Sequence, residues 1–252
     1  MTTETYYFIL YSWIAIGVIA FPFLLMKTAP YGRHTSAGWG PMIPNQIGWM
    51  LMEGFAPFFI SFWFWTGDIQ KTNASYFFYA LYVAHYVYRS YIFPFRTNTK
   101  DKKIPLVISG SAILFNVCNT FVIGYFLGNV GGNYSDEYFL SPQFIIGLIV
   151  FVAGVFINVK SDNMLINLRK PGETGYKIPK GFLFEYISCP NLFGEVIEWI
   201  GFAIMMNSLA GWSFALWTPV NLLPRALDHH KWYFQKFADY PKGRKAVIPG
   251  LL

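Results

Sequence analysis

The chain has 252 residues; 54% are apolar, 21% aromatic and only 13% charged. Soluble domains carry roughly a quarter charged residues, so this composition excludes an ordinary soluble enzyme and points to a protein built for a bilayer. The net charge of +6 then speaks to membrane topology, not to a nucleic-acid partner.

Apolar runs of near-bilayer length predict an all-α integral membrane protein with seven transmembrane helices, at about 5–26, 45–66, 75–95, 104–127, 139–158, 191–208 and 211–235. Only Glu4 precedes the first run, with no basic residue, so it is expected as a retained span and not a cleaved leader. The segments between spans alternate in character. Those at 27–44, 96–103, 159–190 and 225–252 hold 17 of the 19 Lys and Arg residues, whereas 67–74, 128–138 and 209–210 hold only Lys71. The positive-inside rule places the basic segments in the cytoplasm, with the N-terminus out and the C-terminus in. No internal repeat or compositional break divides residues 1–252, so one domain is expected. Cys118 falls within a span and Cys189 in a polar loop, a pattern of free thiols and not of a disulfide framework.

An ionisable group at membrane depth costs about 2.5–3.5 kcal/mol on insertion scales, so each one needs a partner or a role. Glu53 sits in the second span; His85, Tyr86 and Arg89 sit in the third, with 85 and 89 on one helical face. One reading is a clip in which Arg89 or His85 neutralises Glu53. The other is a polar site opening into an apolar cavity. A carboxyl kept protonated in such a site is a hydrogen-bond donor, and with a phenol it suits the carbonyl oxygen of a lipophilic substrate.

The cytoplasmic half is richer in polar stripes. Asn158 and Asp162 are four apart; Asn191, Glu195 and Glu198 line one face of the sixth span; Arg225, His229, Tyr233 and Lys236 line one face of the seventh. The loop between them holds Arg169, Lys170, Tyr176 and Lys177. Taken singly, these are interfacial residues. Together, arginines and carboxylates suit a ligand carrying both phosphates and ribose or amide groups. His229 and His230 are adjacent and so point apart on a helix, and no third ligand lies at metal-site spacing, so no metal is expected. Gly128-Asn-Val-Gly-Gly is placed in an external loop, so it is no dinucleotide fingerprint.

Residues 168–203, L-R-K-P-G-E-T-G-Y-K-I-P-K-G-F-L-F-E-Y-I-S-C-P-N-L-F-G-E-V-I-E-W-I-G-F-A, and 225–249, R-A-L-D-H-H-K-W-Y-F-Q-K-F-A-D-Y-P-K-G-R-K-A-V-I-P, resemble the steroid 5α-reductases, or 3-oxo-5α-steroid 4-dehydrogenases. Y-G-R-H-T at 31–35, Trp49 with Glu53, and His85-Tyr86 with Arg89 extend the resemblance toward the N-terminus. It implies a seven-helix membrane enzyme that reduces the C4–C5 double bond of a 3-oxo-Δ4 steroid with NADPH, hydride going to C5 and a proton to C4. Glu53 and Tyr86 match the pair that holds the 3-keto oxygen, and Trp49 and Arg89 fall beside the steroid. Tyr31, Asn158, Asp162, Arg169, Tyr176, Asn191, Glu195, Arg225, His229 and Tyr233 match positions around NADPH. The steroid pocket is thus expected mainly from the first four spans and the cofactor site from 158–240. A lipophilic steroid and membrane lipid are the implied partners, in a bacterial inner membrane or the endoplasmic reticulum. Met52 stands where many relatives have glutamine, Asp228 replaces the first of three histidines, Lys177 stands where arginine is common, and 96–103 is rewritten.

Two other readings fit parts of this pattern. A membrane methyltransferase of the isoprenylcysteine or phospholipid type also gathers His, Arg and Glu at cytoplasmic helix ends. Reductases of polyprenols or enoyl thioesters would use the same pair of donors. A transporter with Glu53 and Arg89 as a relay is disfavoured by the lack of repeats and broken helices.

Overall fold

A computed structural model describes residues 1–252 except 28, 29, 31, 36, 98, 100, 101, 133, 171, 172 and 174, and the side chains of 33 and 37. Its frame is helical. In chain order come α1 (Thr3–Met26), α2 (Asn45–Gly54), α3 (Ala56–Trp65), α4 (Asn73–Val87), α5 (Phe93–Arg96), α6 (Leu106–Tyr125), α7 (Pro142–Ile166), α8 (Pro190–Met206) and α9 (Leu209–Lys236). A π-turn, Tyr88–Ile92, joins α4 to α5, and a second, Phe126–Val130, extends α6. Four of these helical stretches are long and apolar enough to cross a membrane: Thr3–Met26, Asn45–Trp65, Leu106–Val130 and Pro142–Ile166. Of the others, α8 has 17 residues and carries Glu195 and Glu198, and α9 contains Pro219 and Pro224 ahead of a charged second half.

Local chemistry sets the boundaries. Thr2, Thr72, Ser141 and Ser208 cap α1, α4, α7 and α9 by accepting from the backbone N–H three residues on. Two three-residue strands, β1 (Met42–Pro44) and β2 (Lys103–Pro105), pair antiparallel with Ile43 opposite Ile104. Each ends in a proline that cannot continue the ladder and that stands directly before a helix, α2 or α6. This ribbon was not legible as strand, and it ties the basic segment 27–44 to the basic segment 96–103.

The second span is broken where its sequence demands. Pro57 lacks the N–H that would bond the carbonyl of Glu53, so the helix stops at Gly54 and restarts at Ala56. At this break the Gly54 carbonyl accepts from the Tyr91 hydroxyl at 3.2 Å. Gly128, expected in an external loop, instead lies in the π-turn after α6. A Cβ there would sit 2.4 Å from the Trp63 carbonyl oxygen. Lys71, the one basic residue of segments 67–74, 128–138 and 209–210, donates to the carbonyls of Gly67, Ile69 and Gly128 at 2.6, 2.8 and 3.1 Å.

The antiparallel pair α7 and α8 approaches most closely. A Cβ on Gly154 would lie 2.2 Å from the Glu198 nitrogen, and one on Gly194 would lie 2.4 Å from the Asn158 nitrogen. Gly147 and Gly201 meet Met205 and Phe151 in the same way, at 2.5 and 2.2 Å. Four glycines thus allow backbone contact, and the polar ends of the two helices meet face to face. The C-terminal segment is strapped across the loop before α8. Lys245 donates to the Tyr186 carbonyl at 2.8 Å, Ser188 to the Lys245 carbonyl at 2.8 Å, and buried Arg244 to the Pro179 carbonyl at 3.0 Å.

Candidate active site

A cavity of about 430 Å³ runs between the helices, within the range of small-molecule sites. Phe115, Trp199, Phe214 and Trp217 give it aromatic walls, and Glu53, Tyr86 and Asn116 supply polar groups. The same cavity reaches Arg89, Glu195 and Arg225. Residues assigned on sequence to the substrate and to the cofactor therefore border one space. Trp199, Phe214 and Trp217 come from α8 and α9, so the wall is not drawn from the first four spans alone.

Glu53 occupies the last turn before the Pro57 break. Asn116 of α6 lies against its carboxyl and donates to the Met52 carbonyl at 2.6 Å. Tyr86 is buried beside the cavity, and Ser90 donates to its carbonyl at 2.5 Å as the π-turn begins. Within that turn the Phe93 N–H bonds the Tyr88 carbonyl, because Pro94 interrupts the regular α ladder.

The π-turn carries Arg89, which pairs with carboxylates of α7 and α8. Its guanidinium donates to Asp162 at 3.2 Å, stands 3.9 Å from a Glu195 oxygen, and lies over the rings of Phe93 and Trp49 at 4.5 and 5.4 Å. His85 donates through Nδ1 to Glu198 at 2.7 Å. The clip reading, with His85 or Arg89 paired to Glu53, is overturned: both cations find their carboxylates on α7 and α8.

Across the glycine contact the cofactor candidates assemble. Asn158 donates to the Asn191 carbonyl at 3.0 Å and reaches a Glu195 oxygen at 3.5 Å. Asn191 donates to Asp162 at 3.0 Å. Asn158, Asp162, Asn191, Glu195 and Arg89 thus form one connected polar group. On α9, His229 stacks on His34 with ring centroids 5.0 Å apart and shares a hydrogen bond of 2.9 Å with it. A Cβ on Gly32 would lie 3.0 Å from an Arg225 nitrogen, so the 32–35 segment leans on that helix.

The loop after α7 is organised separately. Arg169 donates to the Gly175 carbonyl at 3.2 Å. Tyr176 packs edge-on against Trp232 at 4.7 Å and receives Lys102 over its ring. Glu173 accepts from Lys177 and from the Lys170 N–H; these two bonds hold its carboxyl below the usual range. Tyr233 is buried in a stack with Tyr240, 5.0 Å apart. Among the described residues Trp49, Asn158, Asp162, Arg169, Tyr176, Asn191, His229 and Tyr233 do not line the cavity; Tyr31 lies outside the described residues. Sequence reasoning passed over Asn116, Asn119 and Thr120, although three polar side chains on one face of an apolar helix are a readable signal.

Residues 102–252 match the family model described as 3-oxo-5-alpha-steroid 4-dehydrogenase. The chain belongs to that family. It is similar to the steroid 5-alpha-reductase DET2 of Gossypium hirsutum, 38% identical over 246 residues that cover 95% of each chain. It is 39% identical to 3-oxo-5-alpha-steroid 4-dehydrogenase 1 of Bos taurus, over 94% of this chain and 93% of the relative. The corresponding Homo sapiens protein is 36% identical over 96% and 93%. Members of this 3-oxo-5-alpha-steroid 4-dehydrogenase family are oxidoreductases that act on CH–CH groups, and this chain is one of them.

Proposed function

We propose that this protein reduces the C4–C5 double bond of a 3-oxo-Δ4 steroid to the 5α product, with NADPH as the donor. The supporting observation is one cavity whose lining includes Glu53 and Tyr86 together with Glu195 and Arg225. The donor set fits NADPH. Amides and carboxylates at Asn158, Asp162, Asn191 and Glu195 suit ribose hydroxyls and a carboxamide. Cations at Arg225 and Arg169, with His229, Tyr176 and Tyr233 and with Tyr31 ahead of them in the chain, suit phosphates and a base. When bound, NADPH supplies the hydride to C5.

The protein's own task is to hold the ketone and to exclude water. Negative charge develops on the ketone oxygen as C5 is reduced. Glu53 in its protonated form and Tyr86 donate to that oxygen in a water-poor pocket, where a preorganised donor contributes about 10²–10³ in rate. Arg89, backed by the Trp49 ring, borders the steroid side, and a proton joins C4 to complete the reaction. The bundle is read as seven spans forming one domain, N-terminus out and C-terminus cytoplasmic, so steroid arrives from lipid and NADPH from the basic face.

Mass spectrometry of products from a 3-oxo-Δ4 steroid panel, with deuterated NADPH, tests reaction and donor together. Deuterium at C5 is expected. Product without label, or turnover with S-adenosylmethionine in place of NADPH, would reject the reading.

A further inference from the structure

Ala20, Leu24 and Lys27, spaced four and three, turn one face of the end of α1 to the cavity. Ser111 of α6 and Asn221 of α9 border the same space. Among the described residues that line it, only Lys27, Ser111 and Asn221 are exposed, and all three are polar. They mark its mouth. Tyr86, by contrast, is buried.

Counting hydrogens shows what the mouth can bind. Ser111 donates its hydrogen to the Ile108 carbonyl at 2.8 Å, so its oxygen is left only to accept. Asn221 donates one amide hydrogen to the Trp217 carbonyl at 3.1 Å and keeps the second. Lys27 lies over the Trp39 ring at 4.7 Å, and among the described residues no carboxylate pairs with it. The other cations of the lining are placed differently: Arg89 is held by Asp162 and Glu195, and Arg225 is half-buried. The mouth thus offers mainly donors and one exposed positive charge. A lysine at the end of an apolar helix ordinarily snorkels to the membrane surface. Snorkelling accounts for the exposure of Lys27, but not for its bordering the cavity that Glu53 and Tyr86 also line.

We propose that the mouth selects substrate by charge: the preferred 3-oxo-Δ4 steroid carries a side chain ending in a carboxylate, which Lys27 binds with Asn221. This rests on the reading of the protein as a steroid reductase that holds the ketone at Glu53 and Tyr86. Lys27 directly follows α1, a helix long and apolar enough to cross a membrane, so its ammonium belongs at the level of the lipid headgroups. A bilayer holds a steroid acid with its carboxylate at that level and its apolar rings deeper. Such a substrate arrives in the orientation in which it reacts. Its carboxylate meets the ammonium in a charge-assisted bond, while its rings cover the aromatic walls.

Purified, detergent-solubilised protein is assayed with 3-oxo-Δ4-cholenoic acid and with its methyl ester, which removes the charge. Wild type is expected to favour the acid about tenfold or more in kcat/KM, the worth of one charge-assisted bond. Lys27→Gln should abolish that preference and Lys27→Glu should reverse it, with the NADPH KM unchanged in both. Asn221→Asp, which sets a negative charge at the mouth, should also reduce the preference and serves if the Lys27 variants fail to fold. Equal kcat/KM for acid and ester in wild type, or a loss in Lys27→Gln that is the same for both, would overturn this inference alone. A rise confined to the NADPH KM would do so too, and would give Lys27 to the cofactor. Reduction of neither compound, nor of progesterone, would overturn the steroid reading and this inference with it.

Discussion

Arg89 and Asp162 meet at 3.2 Å, and through this bond the helix that carries Tyr86 is fastened to the helix that carries Asn158. The same guanidinium stands 3.9 Å from Glu195 on α8, so one cation serves two carboxylates on two further helices. The two ends of the cavity are therefore one mechanical unit. A displacement of α4 would carry α7 and α8 with it, so Tyr86 and the cofactor candidates would move together.

Arg89→Met is expected to destabilise the protein strongly, because it leaves Asp162 and Glu195 facing each other with no counter-charge. Breaking a buried pair by removing one partner costs about 3–5 kcal/mol. Melting in detergent should show a marked drop for Arg89→Met and a smaller one for the Arg89→Met/Asp162→Asn double variant, in which one negative charge is gone as well. If the double variant melts no higher than the single, the carboxylates are not what Arg89 balances.

The glycine contact makes a second prediction that is independent of chemistry. Gly154→Leu and Gly194→Leu must push α7 and α8 apart, since even a Cβ would lie within 2.4 Å of partner backbone. Both variants should lower the melting temperature and cofactor affinity together. Gly110→Ala is the control: nothing lies within 4 Å of its Cβ position, and alanine is the better helix former by about 1 kcal/mol. That variant should melt at or above the wild-type temperature.

At the ketone end, Glu53→Gln and Tyr86→Phe are each expected to cut turnover by about 10² or more while NADPH still binds, the usual loss for one preorganised donor. Single-turnover kinetics and a cofactor titration separate the two effects. Unchanged turnover in both variants would remove them from the chemistry.

Topology is open to labelling. Glu137 and Lys242 are both exposed and belong to segments read as lying on opposite sides of the membrane. In a background lacking Cys118 and Cys189, Glu137→Cys should react with an impermeant thiol reagent on intact cells. Lys242→Cys should react only after permeabilisation. The reverse pattern would invert the orientation.

The apolar runs and the polar stripes at Asn158–Asp162 and Asn191–Glu195–Glu198 are readable because bilayer length and helical spacing are local rules, whereas the 45–66 run reads as unbroken although Pro57 interrupts it. Which carboxylate Arg89 takes was not readable. That depends on the π-turn that carries Arg89 and on the glycines that bring α7 to α8. The strap of 241–252 over the loop before α8 rests on backbone bonds such as Lys245 to Tyr186, which leave no side-chain signature. Tyr233 shares the stripe of Arg225 and His229 by spacing, yet its ring is taken up by Tyr240. A stripe gives the face of a helix, not the neighbour that the face meets.

Arg169 offers the sharpest division between the two ends of the site. It lies in the loop after α7, bonded to the Gly175 carbonyl and away from the cavity lining, so its removal should leave the steroid pocket intact. If it contacts a cofactor phosphate, Arg169→Ala loses one charge-assisted hydrogen bond of about 1.5–3 kcal/mol, and the NADPH KM rises by about tenfold or more while the steroid KM holds. Arg169→Lys keeps the charge but loses the planar fork, so it should recover only part of the affinity. If instead the residue only shapes its own loop, Lys and Ala should be equally poor, since neither reproduces the guanidinium bond to Gly175. A change confined to the steroid KM would move the phosphate site away from this loop altogether.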